Sequence, residues 1–331
     1  MGDLELNDGL RRSLVGAWHQ YLVALDPIRP DLFRYCRQLT GDLWDAEDLV
    51  QETLLKAFAK LSQILYTIQS PRAYLLRTAT NLWLDMLRAR AAEKLALATQ
   101  ASEQSAGSPP EPAPSQGSEL RDAAAILVQR LAPQERAAFL LVELFGMSLE
   151  ETAAVLGTSL GATKSALHRG RDRLKNDEEL PKTRRPRPPR ALLDRFVERY
   201  NARDLPGLLA LMRDDAVIEM HGFETEIGRE GFARDRGWFH HNFYNPFDGS
   251  PTNGRWQVAS FEDEPVVLVF GGIADEQTLA SVMRIECEGD QIHRIGVYAL
   301  CPEVVREVGA SLGLPTKTLG YRFPFDVSAQ S

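Results

Sequence analysis

From Lys164 to Arg190 the chain carries ten basic side chains against four acidic ones, Asp172, Asp177, Glu178 and Glu179, and ten minus four leaves a local charge near +6. A cluster of that sign and density suits contact with phosphate oxygens. At its start, Thr163, Lys164, Ser165, His168, Arg169, Arg171 and Arg173 make a polar, basic face, while Ala162, Ala166, Leu167 and Leu174 can face inward. That periodicity fits a helix lying in a major groove, with Lys164 and Arg169 reaching base edges or phosphates. A solvated helix face is the other physical reading of the same pattern. The trailing strap, Pro181, Lys182, Arg184, Arg185, Pro186, Arg187, Pro188, Pro189 and Arg190, can add only loosely localised electrostatic contacts.

A second concentration of function-bearing groups is Asp45, Glu47, Asp48, Gln51 and Glu52, acidic and amide side chains gathered within eight residues. Helix capping and solvation are the physical reading of such groups. Little else points to catalysis. Cys36, Cys287 and Cys301 are too few and too scattered for a disulfide framework or thiolate metal site. His168 has no Cys or Asp partner at metal-binding spacing in this reading, and the adjacent His240 and His241 point different ways from a helix. No catalytic residue, metal or cofactor is implied.

The elements that position these groups follow from apolar spacing. Leu32, Phe33, Cys36 and Leu39 form one helical stripe, and Ala46, Leu49, Val50, Leu54, Ala57, Phe58 and Leu61 another. Asp45 followed by Asp48 reads as a helix N-terminal signature. Gln69, Ser70 and Pro71 interrupt the pattern before an amphipathic helix over 73–90. Further on, Ala132, Pro133, Gln134 and Glu135 open a helix that Gly146 closes, and Ser148 to Leu156 predicts a short helix. A Gly157, Thr158, Ser159 turn leads into the basic helix, the pattern of a helix-turn-helix. A generic tight turn between two core helices also explains Gly157.

Composition divides the chain. Residues 99–119 are rich in Ser, Ala, Gly, Gln, Glu and Pro without an apolar period and read as a flexible linker, and 179–190 as a second, basic Pro/Arg linker. The expected domains are 1–98, 120–178 and 191–331. The 331 residues carry a net charge of -8, but unevenly: 1–190 hold 25 basic and 24 acidic side chains, net +1, and 191–331 hold 13 and 22, net -9. Met1 leads into Gly2, Asp3, Leu4 and Glu5 with no basic-then-apolar leader, and no apolar run reaches the 18 or so residues of a membrane span. These features predict a soluble, cytoplasmic chain with no membrane insertion.

The ordered motifs resemble a bacterial sigma-70 type RNA polymerase sigma factor, of the extracytoplasmic-function group that keeps regions 2 and 4. Asp45-Ala46-Glu47-Asp48-Leu49-Val50-Gln51-Glu52-Thr53 looks like the core-binding helix of region 2, and Pro71-Arg72-Ala73-Tyr74-Leu75 through Asn81-Leu82-Trp83 to Arg88 like the helix after its promoter-melting loop. Leu131-Ala132-Pro133-Gln134-Glu135-Arg136, Ser148-Leu149-Glu150-Glu151-Thr152-Ala153 and Gly161 to Arg171 resemble region 4. The resemblance implies that Asp45, Glu47, Asp48, Gln51 and Glu52 include the groups that bind the beta-prime clamp helices of core RNA polymerase, whose beta flap is a further expected partner. It implies that the loop over 62–69 meets unpaired minus-10 DNA, with Tyr66 as a stacking surface and Arg72, Arg77, Asn81 and Arg88 alongside; half-buried packing is the alternative for Tyr66. Gly161, Thr163, Lys164, Ser165, His168, Arg169, Arg171 and Arg173 are implied at the minus-35 element. An anti-sigma protein is a further expected partner.

After the strap the pattern changes to two short helices and then strands at Ala216 to His221, Arg255 to Phe261, Val266 to Phe270, Leu279 to Cys287 and Gln291 to Tyr298, with a helix from Gly231 to Phe243 between them. This α+β order resembles the SnoaL-like, nuclear-transport-factor-2-like cone fused to some sigma factors of this group. The expected fold is therefore multidomain: two all-helical domains, a region 2 bundle and a region 4 helix-turn-helix, followed by an α+β domain with a cone-shaped curved sheet. A concave sheet would offer a small-ligand pocket lined by Tyr200, His221, Trp238, Trp256, Met283 and Tyr298. The expected activity is promoter-specific transcription initiation modulated in cis by the acidic domain. Alternatives are a regulator whose C-terminal domain binds or converts a small apolar ligand, and a helix-turn-helix repressor that never binds polymerase.

Overall fold

The computed structural model describes residues 8–61, 70–101, 128–174, 187–234, 237–244, 255–271, 278–318 and 320–321. The chain divides into two compact units. One runs from Pro27 to Lys182; the other joins Met1–Asp26 to Thr183–Ser331, so that helix α1 (Asp8–Leu25) belongs with the C-terminal residues.

The unit from Pro27 to Lys182 is helical. It contains α2 (Arg29–Thr40), α3 (Leu43–Leu61), α4 (Pro71–Ala101), α5 (Pro133–Phe139), a π turn (Leu140–Leu144), α6 (Leu149–Leu156) and α7 (Leu160–Leu174). Leu32, Phe33, Cys36 and Leu39 of α2 are buried together with Ala46, Leu49, Val50, Leu54 and Ala57 of α3, as the stripes require, and Leu75, Leu76, Ala79, Leu82 and Trp83 of α4 complete that core. Tyr35 and Thr80 share a buried hydroxyl hydrogen bond of 2.8 Å that ties α2 to α4, and burial pushes the Tyr35 hydroxyl well up. Gly41 closes α2 in the left-handed region at φ 74°, where a side chain is disfavoured. The start of α3 differs from the Asp45 signature. Asp42 accepts from the amides of Trp44 and Asp45 at 3.0 and 2.8 Å, because the cap must precede the first helical residue, Leu43.

In the second half of this unit Pro133 occupies the first turn of α5, where the missing N–H costs nothing. The helix then widens into the π turn, with Phe145 donating to the Leu140 carbonyl at 3.1 Å, and Gly146 ends it at φ 62°. Ser148 and Glu151 form a reciprocal capping box on α6: the Glu151 amide donates to the Ser148 hydroxyl at 3.1 Å and the Ser148 amide to the Glu151 carboxylate at 2.8 Å. Donation from the Ser148 amide and hydroxyl to the carboxylate holds the Glu151 carboxyl below its ordinary range. Gly157 at φ 63° closes α6 and Ser159 accepts from the Ala162 amide, completing the helix-turn-helix. Helix α4 packs against α6, and α2 against the π turn.

The other unit sets α8 (Arg190–Asn201) and α9 (Leu205–Leu209) before a mixed sheet of β1 (Met212–Met220), β2 (Glu224–Ile227), β3 (Trp256–Phe261), β4 (Glu264–Gly271), β5 (Thr278–Glu288) and β6 (Gln291–Val297). Helices α10 (Arg229–Phe232) and α11 (Trp238–Tyr244) follow β2, and α12 (Pro302–Leu312) follows β6. The five expected strands are present. The expected single helix over 231–243 is instead two, α10 and α11, and β2 and α12 are additional.

The cone is corrected. The six strands form one open sheet in the order β2-β1-β6-β5-β4-β3, leaving β2 and β3 as its two edges rather than closing on each other. Both faces are covered, which explains why Val266, Val267 and Leu268 are buried in succession on β4. On one face Leu192, Leu193, Phe196, Leu205 and Leu208 pack with Ala216, Ile218, Met220, Val267, Ile285, Ile295 and Val297. The helix α12 packs against β5 and β3, with Val304, Val305 and Val308 buried and Gly309 beside Thr316 and Leu279. No helix among the described residues is long and apolar enough to cross a membrane.

Candidate nucleic-acid interface

The basic helix α7 is set on α5 by apolar contact and by ion pairs. Ala166, Leu167 and Gly170 are buried, and so is Thr163, whose hydroxyl donates to the Ser159 carbonyl at 3.1 Å instead of facing outward. Gly161, Lys164, Ser165, His168, Arg169, Arg171 and Arg173 are exposed. His168 does have an acidic neighbour: the Asp172 carboxylate, one turn on, lies 3.4 Å from Nδ1. Among the described residues no three His, Cys, Asp or Glu side chains converge as metal ligands would.

Two carboxylates missed in the sequence organise the arginines. Glu135, only 4% exposed, accepts from Arg169 Nε at 3.0 Å and lies 3.4 Å from Arg173 Nη1. Glu143 accepts from Arg171 through both Nε and Nη2. The signal for Glu135 is its place three residues after Ala132, where it accepts the Ala132 amide as half of a helix cap.

On α4, Arg77, Asn81 and Arg88 are all exposed, and their spacing of four and seven puts them on one helical face. Arg88 pairs with Asp85 at 2.6 Å. Arg72 is held by Asp31 at 3.0 Å and lies over the Phe145 ring at 5.5 Å. Tyr66 and the loop over 62–69 lie outside the described residues.

The acidic and amide groups of α3 split by exposure. Glu47 is fully buried, paired with Arg29 at 2.5 Å and accepting from Gln51 at 2.6 Å, and Gln51 is itself buried. Asp45 receives both terminal nitrogens of Arg90 at 3.1 and 3.2 Å. Asp48 is half-buried and Glu52 exposed. Leu55, at 56% exposed, continues the face of Asp48 and Glu52 at spacings of four and three. It stands one residue off the buried stripe, a position the stripe itself leaves outside the core.

Region by region, family models describe the same segments: Sigma-70 region 2 matches residues 26–93 and Sigma-70, region 4, residues 124–174. The RNA polymerase sigma-E factor of Streptomyces coelicolor is 36% identical over 149 residues, 44% of this chain and 78% of that protein. The chain belongs to the RNA polymerase sigma factors. Within them it is of the extracytoplasmic-function type: the ECF RNA polymerase sigma factor SigL of Mycobacterium tuberculosis is 33% identical over 139 residues, 41% of this sigma factor and 76% of that relative, whereas the chain spans only 56% of the length of the ECF RNA polymerase sigma factor SigE of Mycolicibacterium smegmatis, to which it is 33% identical over 150 residues. Among solved structures, the sigma factor RpoE in complex with the anti-sigma factor NepR from Bartonella quintana matches 47% of the sigma factor and 94% of that chain, at 29% identity and a TM-score of 0.37. An NTF-2 like protein from Burkholderia xenovorans is a distant likeness, covering 33% of the sigma factor and 80% of that chain at 14% identity and a TM-score of 0.26.

In the C-terminal unit of the sigma factor, the residues assigned to a ligand pocket separate. Tyr200, Trp256 and Met283 lie in the apolar core, where Tyr200 stacks on Trp256 and burial pushes the Tyr200 hydroxyl well up. His221 and Tyr298 are buried outside that core cluster, stacked on each other with ring centroids 4.3 Å apart. Trp238 opens α11, and its side chain lies outside those described. A surface groove lined by Arg213, Asp215, Val217, Cys287, Glu288 and His293 shares none of these residues.

Proposed function

We propose that the chain binds core RNA polymerase and directs promoter-specific initiation. The observation that carries this reading is the ordered pair of sigma regions, the second ending in a helix-turn-helix whose outer face presents Lys164, Ser165, His168 and Arg169. Polymerase contact falls to the outward groups of α3, Asp48, Glu52 and Leu55, while Glu47 and Gln51 support the helix from within. Arg77, Asn81 and Arg88 track the minus-10 strand by phosphate contact and amide hydrogen bonding, with Tyr66 stacking on a base. The exposed face of α7 meets the minus-35 duplex.

The C-terminal unit modulates this activity in cis. Its support is the charge contrast, net -9 over 191–331 against +1 over 1–190, which lets an acidic domain compete with DNA for basic side chains. An anti-sigma protein is a further proposed partner. The test is promoter-directed run-off transcription with core polymerase, comparing the full chain with a variant ending at Lys182. Core-dependent initiation supports the sigma reading, and altered activity on truncation supports cis modulation. Tight operator-like binding to duplex DNA without core would favour a repressor instead.

A further inference from the structure

Arg169 is anchored in a way that leaves its recognition end open. Its Nε donates to Glu135 Oε1 at 3.0 Å, the terminal nitrogens have no partner among the described residues, and the side chain is 56% exposed. Its neighbours are spent differently. Arg171 gives both Nε and Nη2 to Glu143, and Arg173 directs Nη1 at Glu135. A guanidinium held through Nε keeps its plane fixed while Nη1 and Nη2 remain a parallel donor pair, the geometry that matches two adjacent acceptors. Glu135 is suited to this role because it is itself immobile: it is 4% exposed, sits at the α5–α7 crossing against Gly170, and accepts the Ala132 amide at 3.2 Å.

We propose that Glu135 is a positioning residue for promoter recognition, and that it aims the Arg169 fork at a planar pair of acceptor atoms on the minus-35 duplex. The inference rests on the sigma-factor reading. The acceptor pair is either guanine O6 and N7 or two phosphate oxygens, and the two differ in consequence. The α7 surface then divides into Lys164, Ser165 and His168, which act directly, and Arg169, which acts at an angle set by Glu135. Pre-orienting a long side chain removes rotamer entropy otherwise lost on binding.

The test uses the full chain with core polymerase and run-off transcription from a library varied through the minus-35 element. Variants are Arg169→Ala, Glu135→Ala, Glu135→Gln and Lys164→Ala, with double combinations, and melting is measured for each. Arg169→Ala and Glu135→Ala are each expected to lower cognate transcription about tenfold, with Glu135→Gln intermediate because its amide oxygen still accepts from Nε. The Glu135/Arg169 double variant should fall no further than Arg169→Ala, whereas Glu135 and Lys164 changes should multiply. Should Glu135→Ala fail to fold, the cycle with Glu135→Gln carries the test. Loss of preference at one base position, shared by both variants, identifies guanine; a uniform loss with a salt slope lower by about 1 in both identifies phosphate. Glu135→Gln with unaltered transcription, or losses that multiply with Arg169→Ala, overturns the inference alone. A wild-type chain that never initiates overturns the sigma reading and the inference with it.

Discussion

Arg136 donates from Nη1 to the main-chain carbonyl of Leu39 at 2.6 Å, joining the start of region 4 to the end of α2 in region 2. The same guanidinium donates to the Gln129 side chain and carbonyl, both at 2.6 Å, and lies over the Trp83 ring at 5.3 Å. Gln129 in turn donates to the Gln38 carbonyl at 2.9 Å, and Phe145 meets Tyr35 edge-on at 5.5 Å. Burial pushes the Arg136 guanidinium down to about 10, which still leaves it charged at neutral pH. The two sigma regions are thus docked on each other. Elements named for positions minus 10 and minus 35 lie about 25 base pairs apart, roughly 85 Å of duplex. On the proposed promoter reading, engaging both elements would require the Arg136 contacts to open.

Replacing Arg136 with Ala is therefore expected to loosen the docking. Four carbonyl or amide acceptors lose a charged donor, a cost of about 1–3 kcal/mol. Amide exchange around Leu39 to Leu43 should quicken, and the distance between labels on α4 and α7 should broaden. Unchanged exchange and unchanged distances would count against the contact.

Glu47 and Glu52 separate stability from partner binding. Glu47→Ala strands buried Arg29 without its carboxylate and should cost about 3–5 kcal/mol in denaturant unfolding. Glu52→Arg changes an exposed group and should leave the melting temperature within about a degree or two while weakening association with core polymerase. Equal affinity for core in the Glu52 variant would remove that side chain from the interface.

The α6 cap is sensitive to acid. The Glu151 carboxyl is held low by the Ser148 amide and hydroxyl, so its contribution is fully present above the ordinary carboxylate range and is lost as pH falls through the depressed native value. An NMR titration should show the Ser148 amide following Glu151, with the response abolished in Glu151→Gln. Ser148→Ala should cost about 1 kcal/mol.

Much of this was legible in the sequence wherever a period or a cap is local. The stripes of α2 and α3, Pro133 at a first turn, and the Ser148 and Gly157 boundaries of α6 depend on neighbours three or four residues apart. What was not legible depends on long-range pairing. Thr163 carries a polar side chain on a basic helix, yet it is buried because its hydroxyl returns to Ser159. Glu47 belongs to an acidic run but faces Arg29, eighteen residues away. Tyr200 and Trp256 belong to the core because α8 and α9 pack onto that face of the sheet, and the parallel pairing of β1 with β6 that orders the open sheet joins segments far apart in the chain. The short edge strand β2 and the helix α12, with Pro302 in its first turn and Gly313 after its end, carry local signals too brief to stand out.

The central claim is tested most directly by run-off transcription from a promoter library with purified core polymerase and the full chain. The account predicts discrete transcripts that require both components and that diminish in the Glu52→Arg and Lys164→Ala variants. A chain that binds no core enzyme and yields no promoter-dependent transcript, with or without residues 183–331, would contradict it.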